Sequence, residues 1–355
     1  MASFLPEPLR MMAVNPAILD FSSDGPIPYA MRQKITGRPP PLPTGTSLKG
    51  QSILVTGATS GVGLEAARQL TKLRPRLLIL GARNLTKADG VKRELERDTP
   101  GVAVQVVELD LESLASVDHF VEQLQTDSIQ LDLALLNAGF FGHEDRMTAD
   151  GYSPLFQVNF LSTAYLALRL LPILRTNDTA SGLGLQSARI VLVSSEGHAW
   201  TTYPIAEDES ISSENHAPII SSFRQRDALG TPDTQYYVAK LFLALFGREL
   251  AKRLEGVAMG PSVVITTPGF CASNFFPSSL ATRIINLTSA RSNQQGGALH
   301  VYACTADRDL VHGAYLRDGK PNRWVFFFFV FSRNSAALAI LPTYRSVPLM
   351  SNNVF

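Results

Sequence analysis

Ser52-Ile53-Leu54-Val55-Thr56-Gly57-Ala58-Thr59-Ser60-Gly61-Val62-Gly63-Leu64 is the stretch on which the chain turns. Ile53, Leu54 and Val55 suit a buried strand. The run Thr56 to Gly63 then offers three glycines and no side chain large enough to keep a ligand away. Glycine tolerates positive φ and admits close approach of another backbone or a ligand. A helix starting at about Gly61 points its free N–H groups and positive dipole end into the turn, which favours a phosphate. A nucleoside-triphosphate loop requires Gly-Lys-Ser/Thr at its end, whereas this turn closes on Gly63-Leu64-Glu65, so the triphosphate reading fails. A strand before and a helix after are the context of a dinucleotide site, with Gly57, Thr59, Ser60, Gly61, Val62 and Gly63 as its cradle.

Outward from this turn, short apolar runs alternate with helical patterns. Val62 to Leu73 is helical in period. Arg76 to Ala82 reads as a second strand, Leu85 to Asp98 as a charged surface helix stopped by Pro100-Gly101, and Val102 to Leu109 as a third strand. Ser113 to Gln125 follows as a helix, Leu131 to Leu136 as a strand, and Tyr152 to Leu174 as one long helix. Arg189 to Val193 and Val263 to Thr267 complete six strands, with another helix between them. No β-hairpin signal interrupts the alternation. The expectation is an α/β fold, a single doubly wound parallel sheet with helices on both faces. Its ligand edge lies at the carboxyl ends of the strands, where the order reverses.

Arg83 stands at that edge, 20 residues after Gly63. An acid there would bind the ribose 2′-hydroxyl of NAD, and an arginine accommodates the 2′-phosphate of NADP. A solvated arginine opening a surface helix is the competing reading, but Gly81 and Ala82 provide no acid, which favours NADP(H). Asp110 can reach an adenine amino group or cap a helix, and the two roles are compatible. Tyr236 and Lys240, four apart, share a helix face. A phenol titrates near 10, too high for proton transfer at neutrality, and an adjacent ammonium favours the phenolate. Taken alone, such a pair is more often structural. Tyr237 lies one position off that face and is expected to pack.

These elements together resemble the short-chain dehydrogenase/reductase family. The family's glycine signature looks like Thr56 to Gly63, and its Asn-Ala-Gly is Asn137-Ala138-Gly139. The helix asparagine appears as Asn159, the serine as Ser195 in Val193-Ser194-Ser195, the tyrosine–lysine pair as Tyr236 and Lys240, and Pro-Gly as Pro268-Gly269. The match runs over residues 49 to 320 in one order. It is most similar to the retinol-dehydrogenase-like branch and fungal reductases, from Gly81-Ala82-Arg83-Asn84 and the wide gap between serine and tyrosine. The resemblance implies a Rossmann fold and an oxidoreductase that interconverts a carbonyl and an alcohol, in fungal secondary metabolism by analogy. Tyr236 would exchange a proton with the substrate oxygen, Lys240 would lower the tyrosine pKa and hold the nicotinamide ribose, and Ser195 would hydrogen-bond the substrate oxygen. Asn159 would hold a relay water, and Asn137 would belong to the cofactor set. A non-catalytic NADP-binding regulator on the same fold is the alternative, and it predicts a damaged serine, tyrosine or lysine.

Residues 1–49 hold nine of the 22 prolines and read as an extension, a polyproline strap or a tail on a domain of residues 50–320. No h-region or basic amphipathic presequence is seen there. Glu196 to Gln235 form an insert expected to wall the substrate side. Residues 321–355 carry Phe326 to Phe329 in an apolar tail too short for a bilayer span of roughly 20 residues. That tail reads as a membrane-surface or partner contact, or as sequence foreign to the native protein. Formal charge is +1 with both signs interspersed, which gives no case for nucleic acid. Cys271 and Cys304 lie far apart, as in a reducing, cytoplasmic setting, and scattered His143, His198 and His216 suggest no metal. The expected partner is a small-molecule carbonyl or alcohol, and a homo-oligomer stays open.

Overall fold

The computed structural model describes Gln33, residues 37–142, 144, 146–175, 188–200, 232–255, 257, 260–272 and 290–322. Most of the insert and the apolar tail from residue 323 onward lie outside the described residues. The strands are β1 (Ser52–Thr56), β2 (Leu77–Ala82), β3 (Ala103–Glu108), β4 (Leu133–Leu136), β5 (Arg189–Val193), β6 (Ser262–Thr266), β7 (Tyr315–Arg317) and β8 (Lys320–Pro321). They form one sheet in the order β3-β2-β1-β4-β5-β6-β7-β8. All pairings are parallel except β7 with β8. The order reverses between β1 and β4, and the first glycine turn sits at that switch.

Period-2 alternation sends neighbouring strand residues to opposite faces. Ile53 and Val55 pack with helices α1 (Gly61–Lys72) and α2 (Leu85–Asp98) on one face, together with α6 (Asn293–Thr305). Leu54 packs on the other face with α3 (Leu114–Thr126), with α4 (Ser162–Leu170) and with α5 (Pro232–Leu254). β1, β4, β5 and β6 are buried along their whole length, the consequence of helices on both sides. The doubly wound expectation is therefore met. Among the described residues no helix is long and apolar enough to cross a membrane.

Three features depart from the sequence reading. The last two strands form a hairpin through Asp318 and Gly319, both at positive φ. β7 is only three residues long and β8 two, too short for alternation to register. The long helix before β5 is composite: Pro154–Phe156 is α-helical, Gln157–Leu161 is π-helical, Ser162–Leu170 is α4, and Leu171–Ile173 is a 3₁₀ turn. Leu131 contributes an isolated bridge to Leu174, and the fourth strand starts only at Leu133.

Candidate active site

Thr56 ends β1, and Gly57 turns the chain away at φ +67. Asn137, just past β4, donates from Nδ2 to the carbonyls of Thr56 at 3.1 Å and Gly57 at 3.3 Å. The Ala138 N–H donates to Thr56 Oγ1 at 3.0 Å. Asn137 thus braces the turn through its side-chain amide. Gly63 is glycine by necessity, since a Cβ there would lie 2.3 Å from both Asn137 Nδ2 and the Gly57 carbonyl oxygen. Helix α1 begins at Gly61 with Ser60 as its N-cap residue, yet no side chain caps it and its first turn holds no acid. Ser60 is exposed and Thr59, Gly61 and Val62 are half-buried, so the uncapped amide end opens at the sheet edge. Such an end suits a phosphate.

Arg83 follows β2, with its side chain 66% exposed and its Nη1 2.6 Å from Glu112 Oε1. Arg146 reaches the other oxygen of Glu112, also at 2.6 Å, and pairs with Glu144 as well. Two guanidinium groups therefore converge on one nearly buried carboxylate beside the end of β3. Arg146 carries no motif, and only the fold brings it there. Asp110 accepts the Glu112 N–H at 2.9 Å, and its own N–H donates to Ser116 Oγ. The helix-cap reading of Asp110 is corrected: Ser113 caps α3, accepting from the Ser116 N–H.

At the ends of β4 and β5 the structure assembles Asn159, Ser195, Tyr236 and Lys240. The Tyr236 hydroxyl hydrogen-bonds the Ser195 side chain, and burial pushes the phenol up to about 12. Lys240 is buried, which lowers its ammonium to about 7. Its Nζ donates to the Val193 carbonyl at 3.0 Å and sits 5.8 Å from the Tyr236 ring centroid. Burial is the larger influence on the phenol, and the bond with Ser195 opposes it. Desolvation likewise disfavours the Lys240 ammonium. Ser194 Oγ donates to the Lys240 carbonyl at 2.9 Å, tying the end of β5 to α5. Tyr237 packs beside Tyr236 and Leu155, with its ring so close to Gly197 that a Cβ there would lie 2.3 Å from Cδ1.

Asn159 lies in the π-helical segment, where wider hydrogen bonding frees an i−4 carbonyl. Its Nδ2 takes that carbonyl, Leu155 O, at 2.9 Å, and Phe140 O at 2.8 Å. Its Oδ1 is buried with no partner among the described residues. A Cβ placed on Gly139 would be 2.6 Å from this oxygen and 3.3 Å from Lys240 Nζ, so both atoms border one small gap. An orphaned acceptor beside an ammonium suits a bound water or hydroxyl.

Sequence reasoning missed the support beneath Ser195. Glu196 accepts from the Tyr315 hydroxyl at 3.2 Å and pairs with Arg317 at 3.5 Å. Burial raises its carboxyl, partly offset by Arg317. The His198 ring meets Tyr315 edge-on at 4.8 Å, and Nδ1 donates to the Ser195 carbonyl. Burial lowers this imidazole to about 4, so it stays neutral near pH 7. The partners lie on β7, more than a hundred residues away, and no local pattern could announce them.

A model of the short chain dehydrogenase family matches residues 51–202. A short chain dehydrogenase of Aspergillus nomiae (rstn4) is 68% identical over 322 residues, covering 90% of this chain and 86% of that protein. Another from Aspergillus sclerotiorum (resG) is 64% identical over 325 residues, covering 90% of each. Among solved structures, the NADPH-dependent 3-quinuclidinone reductase of Rhodotorula rubra superposes with a TM-score of 0.56 at 21% identity, covering 78% of this chain and 94% of that one.

Proposed function

The chain belongs to the short-chain dehydrogenase family, and on that premise we propose that it interconverts a carbonyl compound and an alcohol with NADP(H), using Tyr236 as the proton donor. The observation that carries this reading is the Tyr236 hydroxyl bonded to Ser195, one helical turn from a buried Lys240. That group opens on the same sheet edge as the uncapped end of α1.

The residues fit a dinucleotide. The α1 amide end and the Gly57–Gly63 turn would hold the diphosphate, Arg83 a 2′-phosphate, and Asp110 the adenine. Lys240 and Asn159 would serve the nicotinamide ribose and an attendant water, answering the orphaned Asn159 Oδ1. When bound, NADPH supplies the hydride. Ser195 and Tyr236 then hold the substrate oxygen, donating to the negative charge that develops on it. The buried phenol keeps its proton at neutral pH, as a donor in reduction must, although burial alone leaves it a weak acid. Any negative charge brought near Lys240 favours its ammonium, which in turn draws the phenol back down. Ser194 fixes the lysine's backbone and His198 the serine's, so the donors are held before substrate arrives.

Reduction of a biosynthetic intermediate in fungal secondary metabolism is the physiological role we favour, supported by the fungal relatives at 68% and 64% identity. A cytoplasmic setting agrees with Cys271 and Cys304, both buried free thiols. The test is to profile metabolites in a fungal host with and without the protein. Pairs differing by two hydrogens should shift toward the reduced member when it is present. A profile with no such pair would defeat the proposal.

A further inference from the structure

The loop after β6 crosses the proposed cofactor groove. It starts beside the serine strand, where the Ser194 N–H donates to the Thr266 carbonyl at 2.8 Å. It ends beside the phosphate helix: a Cβ on Gly296 would lie 2.7 Å from Cys271 Sγ and 3.1 Å from Val62 Cγ1, so Cys271 and Val62 are near neighbours. A dinucleotide laid from α1 to Tyr236 would run beside this loop.

The described part of the N-terminal extension touches that loop. Gln33 is buried and accepts the Phe270 N–H on Oε1 at 3.1 Å. A Cβ on Gly269, itself at φ +71, would collide with Gln33 Nε2 at 1.5 Å, so the glutamine lies flat on the glycine. Arg291, 1% exposed, donates from Nη2 to the Gly37 carbonyl at 2.7 Å and from Nη1 to the Pro268 carbonyl at 3.3 Å. It also pairs with Asp318 in the β7–β8 turn. Its backbone exchanges hydrogen bonds with Phe270 and Ala272, each at 2.8 Å. Pro40 seats against Gly319, whose Cβ would meet Pro40 Cγ at 2.3 Å. One buried guanidinium thus joins the extension, the loop and the end of the sheet.

We infer that Gln33 and Arg291 are positioning residues, a clasp by which the N-terminal extension holds the Pro268–Ala272 loop at the height that NADP(H) binding requires. The inference rests on the cofactor reading above. Loop backbone left free would sample conformations that close or splay the groove, and affinity falls by the fraction of time spent there.

Amide hydrogen exchange on the ligand-free full chain, with fluorescence titration by NADPH, tests both halves. In Gln33→Ala, exchange at Phe270–Ala272 should rise and NADPH affinity fall, each by about fivefold for one lost hydrogen bond, while β1 and β4 amides stay as protected as before. Gln33→Glu should behave like wild type, because its carboxylate accepts the same N–H and faces Arg291. Unchanged exchange and affinity in Gln33→Ala would overturn the clasp, as would a rise spread over the whole domain. If Gln33→Ala does not fold, Arg291→Lys gives the same two readings, since it keeps the charge opposite Asp318 but loses the fork. A wild-type chain that binds no NADPH, while the loop loosens as expected, overturns the cofactor reading and leaves the mechanical clasp standing.

Discussion

Tyr236→Phe removes one oxygen and leaves a ring whose surroundings are already apolar. The ring meets Phe141 edge-on at 5.4 Å and Tyr237 at 5.9 Å, and phenylalanine keeps both contacts. The folded state loses the hydrogen bond to Ser195, about 1 kcal/mol, and Ser195 Oγ retains the Gly197 N–H at 3.1 Å. The stability change is therefore small. The rate change is large, because loss of a positioned general acid costs about 10²- to 10⁴-fold, or roughly 3–5 kcal/mol of barrier. The assay follows NADPH absorbance with the carbonyl substrate found by metabolite profiling, beside a fluorescence titration of NADPH and a thermal melt. Expected are an intact melt, retained NADPH binding, and turnover at or below about a hundredth of wild type. Tyr237→Phe, whose ring stays against Gly197, should keep most activity. A Tyr236→Phe enzyme that turns over at near wild-type rate would refute the assignment, and so would the reverse ranking of the two phenols.

Arg83→Asp should weaken NADPH binding by about tenfold or more and relatively favour NADH, measured as a ratio of dissociation constants. Equal wild-type affinity for the two cofactors would remove Arg83 from the specificity argument. His198 has its folded pKa lowered from 6.5 to about 4, so between these values the unfolded chain binds more protons and stability falls as pH drops. His300, lowered to about 3, acts with the same sign. Urea unfolding of His198→Gln from pH 7 to pH 4 should show a shallower acid loss than wild type, and an identical slope would exclude the histidine from it.

The centre of the sheet was legible because β1, β2, β4, β5 and β6 are each built on a short continuous apolar run, and because helices on both faces leave such a run only one way to be buried. Arg189 to Val193 and Leu85 to Asp98 fall where the sequence puts them. The glycine turn is equally local, since its strand, bend and helix are consecutive. What escaped is made across distance or by small departures from period. Glu196 meets Arg317 and Tyr315 only after the sheet has formed. Arg146 is one arginine among many until Glu112 is placed beside it. Gln33 and Arg291 have no pattern at all, and a proline-rich extension gives no hint that Gln33 is buried. The wide π-helical turn has the same apolar residues as an α-helix and differs only in which carbonyl each amide meets.

That turn stores the position of Asn159 as a residue count. The wide turn takes up one residue more than an α-helix needs, so deleting one residue within Gln157–Leu161 lets the segment relax to regular α-helix while the helical stretches on either side keep their facing. The asparagine's amide would swing off the Phe140 carbonyl and its bare oxygen away from Lys240. Hydrophobic content would hardly change. The surplus residue is a local swelling that carries Asn159: a shortened helix could still fold with its packing faces in place but would aim that amide elsewhere.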